Sequence, residues 1–327
     1  MDVLSDVIAI MRSGTPRCVR VRWHGAWGQR FPEVAGAAGF QVIVQGTCWL
    51  IPPDGAEPIA LGVGDVLLFP HGHGYALADD PRTPLLEPRC DPLEDAELFA
   101  SASVGEAAHE PTTITLCGGY RLDAGRAHPL LGDLPDLIHL PARVDRYREL
   151  RAAVELLAAE VDGARPGADT VAPALVDVLL VYILRAWFAE RPAREAGGGW
   201  AAALADRPVA AALNAIHHDP ARAWTVESLG AVAGLSRAAF AKRFGALVGR
   251  PPLAYLTWWR LTRAARLLRS SDASLGEVAA RIGYASEFAF ANAFKREYGT
   301  APGRYRRGAR DEAEAPRVPW PREVGRA

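Results

Sequence analysis

The sequence predicts an α+β protein: an N-terminal β-barrel with a helical hairpin, followed by an all-α domain with a double helix–turn–helix. Three patterns predict this fold. Short apolar runs separated by Gly and Pro occupy residues 18–122. Apolar residues recur at helical spacing from residue 145 onward, and residues 225–305 repeat after 50 positions.

The barrel is predicted from a series of short strands. Residues 18–23 alternate polar and apolar side chains, which is the period of a half-buried strand. Gly118 and Gly119 follow a further apolar run, and a glycine pair there indicates a bulge or a close backbone approach. Many short strands with turn residues between them are typical of a small barrel or sandwich. The other predicted strands are 40–44, 48–51, 66–69, 112–117 and 119–122.

Two helices are predicted after the barrel. Residues 146–161 carry an amphipathic stripe, whereas residues 170–190 are apolar around most of the helix. Pro173, Asp177 and Arg185 interrupt the second apolar run, which favours a protein-covered helix over a membrane span. If a second subunit covers it, the protein is a homodimer through residues 145–190. A core helix inside one subunit is the alternative.

The predicted domain boundaries follow the composition. Residues 1–190 form the N-terminal domain, which begins with a short amphipathic helix near residues 4–11. Residues 191–203 are the linker, because three consecutive glycines support neither helix nor strand. Residues 204–310 form the C-terminal domain, and residues 311–327 are predicted to be a disordered tail.

The repeat predicts two units, each with a short helix, a glycine turn and a longer helix. A shift of 50 positions pairs Glu227 with Glu277 and Gly249 with Gly299. This geometry is that of the helix–turn–helix, whose second helix enters the major groove of DNA. The predicted N-caps are Thr225, Ser236, Ser274 and Ser286, and the predicted core phenylalanines are Phe240, Phe244, Phe290 and Phe294.

Charge is distributed unevenly along the chain. The formal net charge is only -1, but residues 220–310 contain 16 basic and 5 acidic residues, a balance of +11. A basic C-terminal third on an acidic body is the pattern expected of a nucleic-acid-binding module. Double-stranded DNA is therefore the predicted partner of the repeat.

Residues 279–299, with Pro302, Tyr305 and Arg306, closely resemble the AraC/XylS family of bacterial transcription regulators. The resemblance implies base reading by exposed positions of both longer helices. Alanines can meet thymine methyl groups, Asn292 suits adenine and Lys242 suits guanine, whereas Glu287 must accept from cytosine or cap its own helix. The base-reading candidates are Ala238, Ala241, Lys242, Glu287, Phe288, Ala289 and Asn292. The phosphate-binding candidates are Ser236, Arg237, Arg243, Ser286, Lys295, Arg296 and Arg304.

Residues 64–75 resemble the second conserved motif of cupins, in which the last position is a metal-binding histidine. In this chain that position is Tyr75, so no metal site and no cofactor are predicted. His71 and His73 are interpreted as turn or rim residues, with contact to a metal or an anionic ligand as the alternative. The effector-site candidates are His71, His73, Tyr75, Cys90 and Cys117.

These patterns predict a transcription regulator that binds specific DNA sequences and responds to a small-molecule or redox signal through its N-terminal domain. No enzymatic activity is predicted, and the alternative is a metal-dependent cupin enzyme fused to a DNA-binding module. The four cysteines have no zinc-ligand spacing and no signal peptide is evident, so reduced thiols in a cytoplasmic protein are expected. RNA polymerase is a further predicted partner, and no membrane association is expected.

Overall fold

A computed structural model describes residues 2–87, 99–105, 110–122, 128–142, 146–163, 165–190 and 199–314. The chain divides into two compact units. One consists of Met11–Glu190, and the other joins the first ten residues to the helices that follow Arg191. The prediction placed the start of the N-terminal domain at residue 1. In the structure this unit begins at Met11, because the helix before it packs with the C-terminal unit.

The described helices are α1 (Val3–Met11), α2 (Pro129–Gly132), α3 (Arg148–Asp162), α4 (Ala168–Glu190), α5 (Trp200–Ala205), α6 (Arg207–His218), α7 (Val226–Val232), α8 (Arg237–Val248), α9 (Pro252–Ser270), α10 (Leu275–Arg281), α11 (Glu287–Tyr298) and α12 (Pro302–Glu314). The described strands are β1 (Arg12–Trp23), β2 (Gly28–Phe31), β3 (Ala37–Gln45), β4 (Cys48–Ile51), β5 (Ile59–Leu61), β6 (Val66–Phe69), β7 (Tyr75–Ala78), β8 (Phe99–Val104), β9 (Thr113–Leu122) and β10 (Ile138–Leu140).

The strands form two sheets. The larger has the order β10-β6-β3-β9-β1-β8 and the smaller has the order β2-β7-β4-β5. Neighbouring strands are antiparallel except β1 and β8, which are parallel. The predicted strands at 48–51 and 66–69 are confirmed to the residue. Burial alternates along β4, as the two-residue period of the side chains requires, whereas β6 is buried at all four positions.

The core lies between the two sheets. Trp23, Ile43 and Leu67 of the larger sheet pack with Leu50 and Leu77 of the smaller one, and all five are buried. Their apolar side chains account for the short apolar runs in the sequence. Two inward-facing apolar surfaces packed together are what stabilises a small barrel or sandwich.

The prediction of two separate strands at 112–117 and 119–122 is wrong, because β9 runs without a break from Thr113 to Leu122. Position 118 of this strand requires glycine, because there is no room for a side chain. A Cβ atom at Gly118 would lie 2.3 Å from the carbonyl oxygen of Arg17 and 2.5 Å from the ring of Phe40. The close backbone approach expected for the glycine pair is therefore present, and it permits the strand to continue.

The helical hairpin α3–α4 packs against β1 of the larger sheet. The Tyr120 hydroxyl on β9 donates a hydrogen bond to the Val176 carbonyl of α4, and Arg20 forms an ion pair with Asp162 at 2.9 Å. Among the described helices, α4 has the length and apolar composition of a membrane-crossing segment. Its residues Val176, Leu179 and Ile183 are nevertheless buried inside the unit.

The C-terminal unit contains the two predicted helix–turn–helix units, α7–α8 and α10–α11, with α9 between them. Phe240 and Phe244 are fully buried in the first, and Phe290 and Phe294 are fully buried in the second. The predicted caps at Thr225, Ser236, Ser274 and Ser286 each accept a hydrogen bond from a backbone N–H in the first turn. The fold class predicted from sequence is confirmed.

Two details of the repeat differ from the prediction. The longer helices match after 50 positions, but the shorter helices α7 and α10 match after 49. The structural counterpart of Glu277, which completes a capping box, is therefore Ser228 and not Glu227. The second turn is one residue longer than the first, and this insertion restores the 50-residue offset.

The boundaries of the C-terminal unit also differ. Helix α5 begins at Trp200, inside the predicted linker of residues 191–203, and residues 191–198 lie outside the described residues. Helix α12 continues to Glu314, so the first part of the predicted tail at 311–327 is helical. Residues 315–327 lie outside the described residues.

Candidate nucleic-acid interface and effector site

Local sequence positions each longer helix. Gly234 and Gly283 adopt φ values of +66° and +81° in the two turns, and Gly249 and Gly299 adopt φ values of +74° and +70° where the helices end. These left-handed conformations favour glycine because it has no Cβ. The repeat thus places α8 and α11 in equivalent local settings.

Most of the predicted base-reading residues lie on exposed helix faces. Ala238 and Lys242 are exposed on α8, whereas Ala241 is only partly exposed. On α11, Phe288 is 78% exposed although it lies two residues from fully buried Phe290. The aromatic ring of Phe288 is therefore available for contact with a partner. Glu287, Ala289 and Asn292 are exposed on the same helix.

The phosphate-binding candidates divide into two groups. Arg237, Lys295, Arg296 and Arg304 are exposed. Arg243 is instead held by Asp206, whose Oδ2 accepts from Arg243 Nε at 2.8 Å and from Nη2 at 2.5 Å. This ion pair ties α8 to the N-cap of α6. The hydroxyls of Ser236 and Ser286 cap their helices.

Helix α1 extends the core of this unit. Val3 and Val7 are buried, and the backbone N–H of Val3 donates to Asn214 Oδ1 at 3.3 Å. Asp6 is only 6% exposed, and its Oδ2 lies 3.2 Å from His217 Nδ1 on α6. His217 Nε2 lies 2.7 Å from the hydroxyl of Tyr255 on α9.

Burial determines the protonation of this chain of hydrogen bonds. Burial lowers the pKa of His217, although Asp6 partly opposes the shift, and burial raises the pKa of Tyr255 well above its ordinary value. A neutral His217 therefore donates from Nδ1 to Asp6 and accepts at Nε2 from the Tyr255 hydroxyl. The His217 ring also stacks on Trp259 at 3.9 Å.

In the barrel, two of the effector-site candidates meet in the core between the sheets. Gln41 on β3 donates to the Tyr75 hydroxyl at 2.9 Å, and Gln41 is the register partner of Cys117 on β9. Tyr75 is stacked between Phe31 and Phe69, at centroid distances of 4.7 and 3.8 Å. Burial raises the pKa of Tyr75, so its hydroxyl stays protonated.

Gln41, which was not among the predicted candidates, lies beside two of them in this core. It is 1% exposed, and its Oε1 has no hydrogen-bond partner among the described residues. A buried carbonyl oxygen without a partner costs about 1–3 kcal/mol. A polar residue inside the apolar run of residues 40–44 was the available signal.

The remaining effector-site candidates lie apart from Gln41. His71 donates from Nε2 to the Leu134 carbonyl at 3.0 Å, and half-exposed His73 lies 3.1 Å from Asp136. Within the described part of the chain, no group of three or more His, Cys, Asp or Glu residues is placed to hold a metal ion. Cys90 lies outside the described residues.

The described thiols near this core are buried. Burial raises the pKa of Cys48 to about 12 and the pKa of Cys18 well above its ordinary value. A thiol reacts as its thiolate, so these two cysteines are held in an unreactive form.

A barrel domain joined to paired helix–turn–helix units defines a class of two-domain DNA-binding regulators. Two family profiles match the chain: one described as Cupin covers residues 2–189, and one described as Helix-turn-helix domain covers residues 229–308. An AraC-like transcription regulator from Streptomyces lividans is 37% identical over 310 residues, which are 94% of this chain and 98% of the relative. The chain belongs to this family of AraC-like transcription regulators.

A second relative matches over almost its full length, and a solved structure matches the C-terminal unit. The transcriptional regulator AlkR of Acinetobacter baylyi is 30% identical over 312 residues, which are 94% of this chain and 99% of AlkR. The crystal structure of the DNA-binding domain of AdpA, in complex with a target DNA, has 36% sequence identity. It covers 34% of this chain and 99% of that domain, with a TM-score of 0.32.

Proposed function

We propose that this protein is a transcription regulator that reads a two-part DNA sequence with α8 and α11 and binds a small effector in its barrel. One observation carries the proposal. Both helices bury a phenylalanine pair on one face and leave their first turns exposed, inside a segment with a charge balance of +11. Such a helix inserts its N-terminal residues into the major groove.

Base reading is assigned to the exposed side chains of the first two turns of each helix. Asn292 is suited to a bidentate contact with adenine and Lys242 to guanine, because their donors and acceptors match the base edges. Ala238, Ala289 and exposed Phe288 are suited to apolar contact with thymine methyl groups. Ala241 is expected to contribute less to base reading, because it is only partly exposed.

Backbone contacts are assigned to the exposed cations Arg237, Lys295, Arg296 and Arg304. These residues supply affinity without sequence preference. Arg243 must break its ion pair with Asp206 before it can bind a phosphate, so it contributes less. The capping hydroxyls of Ser236 and Ser286 can still donate their protons to a phosphate oxygen.

The effector site is assigned to the core around Gln41, Tyr75 and Cys117. The surrounding rings are apolar and the polar groups at hand are an amide, a phenol and a thiol, so a small uncharged molecule with a hydrogen-bond donor fits best. A ligand screen for a raised melting temperature tests this assignment. A ligand that stabilises the wild-type protein should lose its effect on Gln41→Leu, whereas equal stabilisation of both proteins would contradict the assignment.

We propose no enzymatic activity for the barrel. The relatives matched over almost their full length are named transcription regulators, and His71 Nε2 is engaged by a backbone carbonyl. Metal analysis of the purified protein is the test. Stoichiometric iron or manganese that is lost in a His71→Ala, His73→Ala variant would favour the alternative of a cupin enzyme fused to a DNA-binding module.

The hairpin α3–α4 is proposed to form a homodimer. Val171 and Val178 are exposed seven residues apart on α4, and Leu156 is exposed on α3. Apolar residues at this spacing form one stripe, which is suited to an identical stripe of a second copy. Val178→Glu should convert a dimer into a monomer in light scattering, and a wild-type monomer would contradict the proposal.

A cytoplasmic location and contact with RNA polymerase complete the proposed function.

The decisive experiment separates base reading from phosphate binding. Asn292→Ala should weaken binding to the selected DNA site and relax the preference at one base pair. Arg296→Ala should weaken binding to selected and shuffled duplexes by the same factor and reduce the slope of affinity against salt concentration. Equal losses for both variants on every duplex would refute the assignment.

A further inference from the structure

The loop between α6 and α7, residues 219–224, here called the junction loop, leads into the first helix–turn–helix unit and lies against the turn of the second. It is closed by its own hydrogen bonds. The backbone N–H of Arg222 donates to Asp219 Oδ1 at 3.1 Å, and Trp224 Nε1 donates to the Asp219 carbonyl at 2.8 Å. The Arg222 guanidinium lies 4.2 Å above the Trp224 ring. Each contact limits the motion of the loop.

Arg260 on α9 binds the junction loop through backbone carbonyls. Its Nε donates to the Pro220 carbonyl at 2.7 Å and its Nη2 donates to the Arg222 carbonyl at 2.9 Å. The rigid fork of a guanidinium holds two acceptors at a fixed separation, which an ammonium cannot do. Burial lowers the pKa of Arg260, in keeping with its position between packed elements.

Position 260 lies at the middle of the spacer helix. On one side of it, Tyr255 packs with Phe244 of the first unit, and Trp259 stacks on His217 of α6. On the other side, Leu261 and the residues after it pack in the core of the second unit. The spacer helix fixes the separation of the two units along its axis. The junction loop therefore provides a second connection away from the helix axis.

The second unit reaches the same loop through Gly283. A Cβ atom at Gly283 would lie 2.4 Å from the carbonyl oxygen of Ala221 and 2.7 Å from its Cα. The equivalent turn residue of the first unit, Gly234, has a similar positive φ, but a Cβ atom there meets nothing within 4 Å. Gly283 is therefore constrained by contact as well as by backbone conformation.

We infer that Arg260, the junction loop and Gly283 together fix the distance and angle between α8 and α11, and so set the spacing of the two DNA segments that the protein accepts. Arg260 and Gly283 are positioning residues that act through the junction loop. The inference rests on the proposed function, since spacing matters only if both helices read DNA. Two helices that enter successive major grooves on one face of DNA must lie about 34 Å apart.

The test measures affinity as a function of spacing, with the full-length protein. Selection from random DNA first gives the two half-motifs, and duplexes are then made with one or two base pairs added or removed between them. A rigid junction should make the wild type lose affinity about tenfold or more per added or removed pair, because both modules can no longer bind together.

Arg260→Met and Gly283→Ala should lose affinity for the preferred spacing and bind all spacings within about threefold of one another, as expected of loosely joined modules. Their affinity for a duplex that carries only the half-motif read by α8 should stay at the wild-type value. Two variants are matched controls and should keep the wild-type preference. Arg266→Met removes the same charge from an exposed position of α9, and Gly234→Ala introduces the same backbone strain in the first turn.

The outcomes are distinguishable. A wild-type spacing preference retained in both variants would overturn the inference while leaving the proposed function intact. The absence of any selected motif would instead refute the proposed function. If Arg260→Met melts below the assay temperature, Arg260→Lys keeps the charge and the same flattened spacing profile is expected of it. An unchanged profile for Arg260→Lys would again overturn the inference.

Discussion

Replacement of Asp6 by alanine should loosen the DNA-binding unit, although Asp6 is almost at the start of the chain. The carboxylate accepts from His217 on α6, 211 positions away, and both side chains are almost fully buried. Removal of the acceptor leaves the His217 Nδ1–H unsatisfied inside the unit. A hydrogen bond to a charged group contributes about 1.5–3 kcal/mol, so Asp6→Ala should cost about 2 kcal/mol.

This loss can be measured by native-state hydrogen exchange of the full-length protein. A cost of about 2 kcal/mol multiplies the local opening constant about 30-fold, so amides of α6 should exchange about 30 times faster. Asp6→Asn is the matched control, because its amide oxygen still accepts from Nδ1–H and the exchange should change much less. Unchanged exchange of α6 in Asp6→Ala would show that α1 does not dock on this unit in solution.

Three further predictions follow from single sites. Because burial lowers the pKa of His217 below its ordinary value of about 6.5, the unfolded state binds a proton that the folded state excludes. The stability of the C-terminal unit should therefore be full above pH 6.5 and fall as the pH drops toward the lowered pKa. In His217→Gln, urea unfolding at a series of pH values should give a flatter profile, and an identical profile would contradict the assignment. Gly118→Ala should destabilise the barrel by about 1–3 kcal/mol, because the added Cβ clashes with backbone. Gly62→Ala is the control and should leave the melting temperature unchanged, because there is open space around its Cβ. Equal melting temperatures of the two variants would refute the packing argument. Phe294→Ala should cost about 3–5 kcal/mol of stability, whereas exposed Phe288→Ala should cost little stability but weaken DNA binding, and the reverse order would contradict the assignment of helix faces.

The helix–turn–helix repeat could be predicted almost completely from the sequence because its determinants are local. N-caps, glycine turns and phenylalanines at helical spacing act over three to five residues, and each is visible in the sequence. The 49-residue offset of the shorter helices was missed because the acidic residues Glu227 and Glu277 coincide after 50 positions. The capping geometry, in which Ser228 takes the place of Glu277, corrects it.

The features that were missed depend on contacts between residues far apart in sequence. The helical pattern of residues 4–11 was visible, but its packing partner was not, because Asp6 and His217 are joined only by the fold. Arg243 was a reasonable phosphate ligand until the structure placed Asp206 beside it. The same holds for Gln41, whose neighbours Tyr75 and Cys117 come from two other strands.

The connection of the two units also becomes clear only in three dimensions. The chain passes from α1, which belongs to the DNA-binding unit, directly into β1, the first strand of the barrel. The units are therefore joined at residue 11 as well as through residues 191–198.

The central claim, that α8 and α11 read two separate DNA segments, is tested most directly by selection from random DNA with the purified full-length protein. The structure predicts an enriched motif with two conserved halves about 10–10.5 base pairs apart from centre to centre. Exchange of Asn292 for alanine should remove the preference at one position of one half only. Binding without any enriched motif would contradict the account. So would a motif with only one half that is still enriched after the exposed residues of either α8 or α11 are replaced by alanine.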